Sequence, residues 1–228
     1  MITMNLQNKI VLAHKGFFNK ECGKLYRENS KDACKISSTK DFISIIELDI
    51  RKSKDGTLYC YHGSLLDYYF DLKFKKNFAT IKEKYNVDSL ADVLDVIVKD
   101  KTIFLDIKDS DIGKDDILSA FSGRKFREII IGNRSISFLK RFNEMPKEFV
   151  KILNGNIFCN FYDLKKLKSD GFKYFEVVFP FQVNKKIVEK VRQAELEFRV
   201  AGLFFTNAGN YWDIIDKYGI KHVSSDFI

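Results

Sequence analysis

The sequence predicts an α/β chain folded as a (β/α)8 TIM barrel with a β-hairpin and a short insertion after strand 2. Three observations carry that expectation. Eight short apolar runs of strand character alternate with amphipathic helical patterns. The length of 228 residues suits one such barrel, so a single domain over residues 1–228 is expected. Polar residues recur at the C-terminal ends of the runs, where barrels of this kind carry their functional side chains.

The first run, Ile10 to Ala13, stops at His14-Lys15-Gly16, and a loop is expected after it. An amphipathic stretch then extends to about Thr39, with Asn29 or Ser30 as its N-cap. The second run, Ile43 to Ile50, carries Glu47 and Asp49 at i and i+2, which in a strand project to one face. Lys54-Asp55-Gly56-Thr57 predicts a tight hairpin leading into Leu58 to His62. Residues 63–87 interleave Tyr68, Tyr69, Phe70, Phe74 and Phe78 with lysines at poor periodicity, and form the expected short insertion. Asp88-Ser89 caps a helix expected to reach about Val98.

Further strands are expected at Ile103–Ile107, Glu128–Ile131, Val150–Leu153, Tyr174–Phe179, Phe198–Leu203 and His222–Ser225. Helices fill the intervals near Asp115–Phe121, Ile136–Phe142, Phe161–Ser169, Asn184–Ala194 and Ala208–Tyr218. Gly171 and Gly219 stand between helix and strand, where a left-handed residue ends a helix.

Composition narrows the class. Hydrophobic residues make up 45 % and only two prolines occur, which excludes a disordered or proline-rich chain. The net charge of +8 comes from scattered lysines rather than a basic block, and no nucleic-acid motif accompanies it, so no nucleic-acid partner is expected. Cys22, Cys34, Cys60 and Cys159 lack metal-ligand spacing and read as free thiols of a reducing compartment. With no apolar run of spanning length and no apolar leader, the expectation is a cytoplasmic protein without a transmembrane segment. Oligomeric state leaves no mark in the sequence.

The chemistry gathers at the strand ends. Two carboxylates side by side in an apolar strand call for a cation, and hard divalent ions prefer such oxygen donors. Glu47, Asp49 and Asp106 are the candidate ligands, with Mg²⁺ or Ca²⁺ as the ion and Mn²⁺ as a third candidate. His14 ends the first strand, His62 leaves the hairpin, and Lys108 follows Asp106 at the same i, i+2 spacing. This set is what phosphodiester cleavage needs: a metal on the phosphate oxygens, one histidine to take a proton and another to give one. Lys108 and Lys15 would face the phosphoryl oxygens of a small-molecule phosphodiester substrate. His222 begins the last strand, at the opposite end, and is given no role.

The motifs Ala13-His14-Lys15-Gly16, Arg27-Glu28-Asn29-Ser30, Glu47-Leu48-Asp49, Tyr61-His62, Ser89 to Leu94 and Leu105-Asp106-Ile107-Lys108 resemble the ordered motif series of glycerophosphodiester phosphodiesterases. The likeness continues more weakly through Phe204-Phe205-Thr206-Asn207 and Gly219 to Asp226. It implies a metal-dependent barrel that splits a glycerophosphodiester into glycerol phosphate and an alcohol. His14 and His62 would be the acid/base pair, Glu47, Asp49 and Asp106 the metal ligands, Lys108 a phosphate contact and Glu28 a supporting residue. The chain departs from the pattern at Lys15, where arginine is usual, and at Asp106, where glutamate is usual. Gly63 after the second histidine and the Leu-Asp-Ile-Lys form resemble the sphingomyelinase D toxins, which release a cyclic phosphate. The absence of cysteine between Cys60 and Cys159 removes the disulfide-closed loop of those toxins. An inactive barrel that binds a phosphorylated ligand through residues 63–87 is the alternative outside catalysis.

Overall fold

The computed structural model describes residues 6–17, 20–64, 67, 75–155, 161–201 and 207–227. Among the described residues ten strands form one sheet: β1 (Ile10–Ala13), β2 (Ile43–Lys52), β3 (Leu58–Cys60), β4 (Asp88–Ser89), β5 (Thr102–Ile107), β6 (Glu128–Asn133), β7 (Phe149–Leu153), β8 (Phe172–Val177), β9 (Glu197–Val200) and β10 (His222–Ser224). Eight of them run parallel in the order β1-β2-β5-β6-β7-β8-β9-β10, and β10 pairs with β1 to close the barrel. The expected barrel is thus present, and each of its eight strands overlaps a run picked out by hydrophobicity. The hairpin is present as well: Lys52 pairs antiparallel with Leu58 across a turn in which Gly56 adopts φ +85°.

Alternation along β2 sorts its two faces. Ile46, Leu48 and Ile50 belong to the large cluster between barrel and helices, while Ile45 belongs to a smaller cluster inside the barrel with Leu12, Phe104, Ile130, Ile152 and Tyr174. Glu47 and Asp49 share the inner face with Ile45, as their spacing requires. The apolar lumen cluster is therefore a plug, and the cleft lies above it at the C-terminal ends of the strands.

The described helices are α1 (Lys20–Leu25), α2 (Lys31–Ser38), α3 (Phe78–Tyr85), α4 (Leu90–Leu94), α5 (Lys114–Phe121), α6 (Ile136–Lys140), α7 (Leu164–Ser169), α8 (Lys185–Gln193) and α9 (Ala208–Lys217). Ser30 caps α2 by accepting from Ala33 N, and Ser89 caps α4 by accepting from Asp92 N. Gly171 and Gly219 both take positive φ, as expected. No described helix is long and apolar enough to cross a membrane.

Three expectations require correction. The stretch after Gly16 is not all loop, because it contains α1. The helix after Ser89 ends at Leu94 rather than near Val98, with Asp95 N already bonded back to Ala91 O as its cap. Within the insertion, where the sequence shows poor periodicity, residues Phe78–Tyr85 form α3, which buries Ile81 and packs Phe78 and Tyr85 partly buried against the same cluster. The insertion ends at β4, which adds a third antiparallel strand beside β3. Tyr68, Tyr69, Phe70, Phe74, Cys159 and the Phe204-Phe205-Thr206 stretch lie outside the described residues.

Candidate active site

A sharp turn follows β1. Lys15 takes the left-handed conformation at φ +53° and Gly16 follows at φ +79°, where a Cβ would meet Cys34 Sγ at 2.7 Å. The turn aims Lys15 N at Glu47 Oε2, 2.6 Å away, and sets His14 against the far end of the chain. His14 Nδ1 lies 2.8 Å from Asp226 Oδ2, and His14 N donates to Ser225 Oγ. With Nδ1 facing a carboxylate, Nε2 is the ring nitrogen left for chemistry.

Glu47, Asp49 and Asp106 each offer an oxygen within 4.8 Å of the others. The register explains this, since Glu47 pairs with Phe104 and Asp49 with Asp106 across neighbouring strands. Each carboxylate is also held by a neutral donor: Glu47 by Lys15 N, Asp49 by Asn29 Nδ2 at 2.8 Å, and Asp106 by Asn154 Nδ2 at 2.8 Å. Asn29 binds Asp49 twice, because its Oδ1 accepts from Asp49 N at 2.8 Å. Lys108 Nζ bridges Asp49 Oδ1 at 2.8 Å and Asp106 Oδ2. The donor set fits a hard divalent cation: three carboxylates, no thiol, and amide groups that fix the ligands from outside.

Crowded carboxylates strain one another electrostatically. Burial, then the Asp49 charge, pushes the Glu47 carboxyl from 4.5 up to about 7. Burial raises Asp106 as well, against the pull of Lys108. Asp49 goes the other way: burial opposes its charge, but Lys108 dominates together with the Asn29 bond and holds the carboxyl low.

The two histidines are also split. Burial alone would lower His14, yet the Asp226 bond and the Glu47 charge lift it from 6.5 to about 9. His62 is lowered, by burial first, despite the nearby Asp49 charge. Both line one cleft of about 220 Å³ with the three carboxylates, Lys15 and Lys108. Glu28 stands outside that lining and binds Lys15 Nζ at 2.9 Å. The structure thus gathers seven of the eight sequence-predicted residues in one cleft and places the eighth one contact behind it.

Several residues of the site escaped the sequence reading. Asn29, considered there as a cap, instead pins Asp49. Asn154 follows a strand directly, so the strand-end rule would have found it. Glu176 and Arg199 are charges inside apolar strands, the same signal that marked Glu47; they pair at 3.0 Å, and Arg199 lies over the Phe104 ring. Asn154 Oδ1 and Arg199 Nη1 are buried without a hydrogen-bond partner among the described residues. The Asn154 amide cannot simply turn over, since its NH₂ already faces the Asp106 carboxylate.

His222 sits at the opposite end of the barrel, as expected, buried against Tyr174 and bonded to Glu197.

No protein-family model matches the sequence, and no curated protein matches it significantly. Solved structures do match. The glycerophosphodiester phosphodiesterase of Thermotoga maritima is 20 % identical with a TM-score of 0.70, covering 96 % of this chain and 95 % of its own. That of Agrobacterium tumefaciens is 17 % identical at 0.71, covering 96 % and 97 %. A phosphodiesterase of Oleispira antarctica, solved with its product sn-glycerol-3-phosphate, is 14 % identical at 0.74, covering 95 % and 92 %. Over nearly its whole length, then, this chain has the (β/α)8 barrel fold of the glycerophosphodiester phosphodiesterases.

Proposed function

We propose that this protein is a metal-dependent phosphodiesterase that hydrolyses a glycerophosphodiester or a related small diester to a phosphomonoester and an alcohol. The observation that carries the reading is the convergence on one cleft of three carboxylates and two histidines of opposite proton affinity. Ligand binding alone would call for neither histidine. Held on Glu47, Asp49 and Asp106, Mg²⁺, Ca²⁺ or Mn²⁺ would draw charge from the phosphoryl oxygens.

The split between the histidines supports a separate role for each. His62, lowered and neutral near pH 7, takes a proton from the water whose oxygen forms the new bond to phosphorus. His14, raised and protonated, gives a proton to the alkoxide oxygen as its bond to phosphorus breaks. Asp226 orients His14 for this. Lys108 and Lys15 face the phosphoryl oxygens, and Glu28 steadies Lys15. Asn154 and Arg199 both line the cleft, and the Asn154 carbonyl and an Arg199 N–H, without partners among the described residues, would each suit a substrate hydroxyl. The product bound by the Oleispira antarctica neighbour is a glycerol phosphate, a compound with such hydroxyls.

The test is product release from a panel of glycerophosphodiesters with chelator and with each cation restored, followed by phosphorus NMR. Cation-restored release of a phosphomonoester is expected. A cyclic phosphate as the end product would replace hydrolysis with intramolecular transfer, and no turnover of any diester would remove the enzymatic reading.

A further inference from the structure

We infer that Arg51 is the positioning residue for His62, bracing the histidine's backbone to the frame that carries the carboxylates. The inference rests on the reading of His62 as a proton-transfer group. The His62 ring differs from that of His14: among the described residues no side-chain hydrogen bond holds it. Its location must therefore come from the backbone on which it stands.

That backbone is gripped by one side chain. Arg51 continues the inner-face series of β2, two residues beyond Asp49, and is 7 % exposed. Its guanidinium donates from Nε to Tyr61 O at 3.1 Å and from Nη2 to His62 O at 2.8 Å. Nη1 binds Asp109 Oδ1 at 2.9 Å. Tyr61 N donates in turn to Asp49 O at 2.9 Å, so both peptide groups leading into and out of His62 are tied to β2. Gly63, at φ +76°, then turns the chain away.

The other end of the brace is equally fixed. Asp109 Oδ2 accepts from Lys52 N at 2.9 Å, and Lys108 N donates to Ile50 O at 2.9 Å. Arg51 thus joins the segment bearing His62 to the β2–β5 pair bearing Asp49 and Asp106. Only a planar fork with several fixed donors spans three acceptors in this way; an ammonium has the charge without the geometry. A displacement of about 1 Å at a reacting group costs on the order of 100-fold in rate, which sets the scale of what such a brace secures.

The experiment is a double-mutant cycle between Arg51→Lys and His62→Ala on a diester that the wild type turns over. Arg51→Lys is expected to lower kcat about 10- to 100-fold with KM nearly unchanged, and to have no further effect when His62 is already alanine. A general loss of structure would lower both backgrounds alike, and that result, or wild-type kcat in folded Arg51→Lys, overturns the inference. Asp109→Asn, which leaves both carbonyl contacts to Arg51 in place, is expected to cost less kcat than Arg51→Lys; a larger loss would move the role to Asp109. NMR keeps the inference separate from the proposed activity, since the chain has three histidines. Arg51→Lys is expected to move the ring signals of His62 and leave those of His14 and His222 in place, even if no diester is cleaved. Unmoved His62 signals would overturn the brace.

Discussion

The two ends of the barrel lumen hold similar side chains on either side of the plug formed by Leu12, Ile45, Phe104, Ile130, Ile152 and Tyr174. At the N-terminal end the charges close on one another. His222 Nε2 meets Glu197 at 2.8 Å, Lys173 meets Glu128 at 2.6 Å, and Tyr174 Oη donates to Glu128 at 2.6 Å. At the C-terminal end three carboxylates crowd together, two buried polar atoms lack partners among the described residues, and the histidines are driven apart in proton affinity. The same ingredient titrates differently at the two ends. His222 holds the Glu197 carboxyl low, whereas burial and Asp49 drive Glu47 up to about 7. One end is arranged for stability, and the other leaves stability unrealised, as a site built for the proposed ligand and reaction would.

The largest expected effect sets the histidines of the two ends against each other. His62→Ala is expected to lower kcat about 10²- to 10⁴-fold with little change in melting temperature, and His14→Ala to lower kcat by as much while also losing the stability of its bond to Asp226. His222→Ala is expected to keep kcat and lose about 1 kcal/mol of stability, by breaking a partly buried bond to a carboxylate. Calorimetry beside steady-state kinetics checks both, and a rate loss in His222→Ala would dissolve the contrast. Next is Glu47→Gln, which is expected to reduce cation-dependent turnover on the order of 100-fold or more while holding or raising the melting temperature of the metal-free protein, because a like charge leaves the cluster. Wild-type turnover in that variant would sink the metal assignment.

Asp226→Asn should act through His14 and reshape the pH profile. The proposed reaction needs His62 deprotonated and His14 protonated, so its rate is expected to rise through the lowered His62 value and to fall near 9. Without the Asp226 charge the falling limb is expected to move to lower pH while the rising limb stays. An unmoved falling limb would detach that limb from His14.

The smallest effect concerns stability against pH. Glu197 has a lowered folded pKa, so its contribution is present above its unfolded value and fades as pH falls through the folded one. Glu47 has a raised folded pKa, so in metal-free protein its contribution fades as pH rises from about 4.5 to about 7. Denaturant titrations of Glu197→Gln and Glu47→Gln should therefore lose opposite slopes. Slopes of the same sign would show that the two ends do not differ in this way.

Much of this architecture was legible because β-strands convert spacing directly into geometry. Glu47 and Asp49 had to share a face once the run containing them was a strand, and Asp106 joined them through parallel register with β2. What stayed hidden depended on contacts distant in sequence. Nothing near Asn29 announces that it will turn left-handed at φ +57° and bond Asp49 rather than cap a helix. Arg51 reads as an ordinary charge near a strand end until the hairpin folds Tyr61 and His62 over it. The helix α1 was missed because six residues give too short a window for periodicity to register.

The bond between His14 and Asp226 has a kinetic consequence. It belongs to the seam where β1 meets β10, and the adjoining bond from His14 N to Ser225 Oγ spans 211 positions of sequence. Closing so long a loop costs entropy that no local contact repays, so this seam belongs among the late events of folding. Until β10 docks, His14 lacks the Asp226 carboxylate, and on the proposed reading a nascent or partly opened barrel would carry the candidate metal ligands on β2 and β5 without a competent acid. Activity therefore reports closure of the seam, and recovery of turnover after denaturant dilution should lag behind recovery of helical circular dichroism.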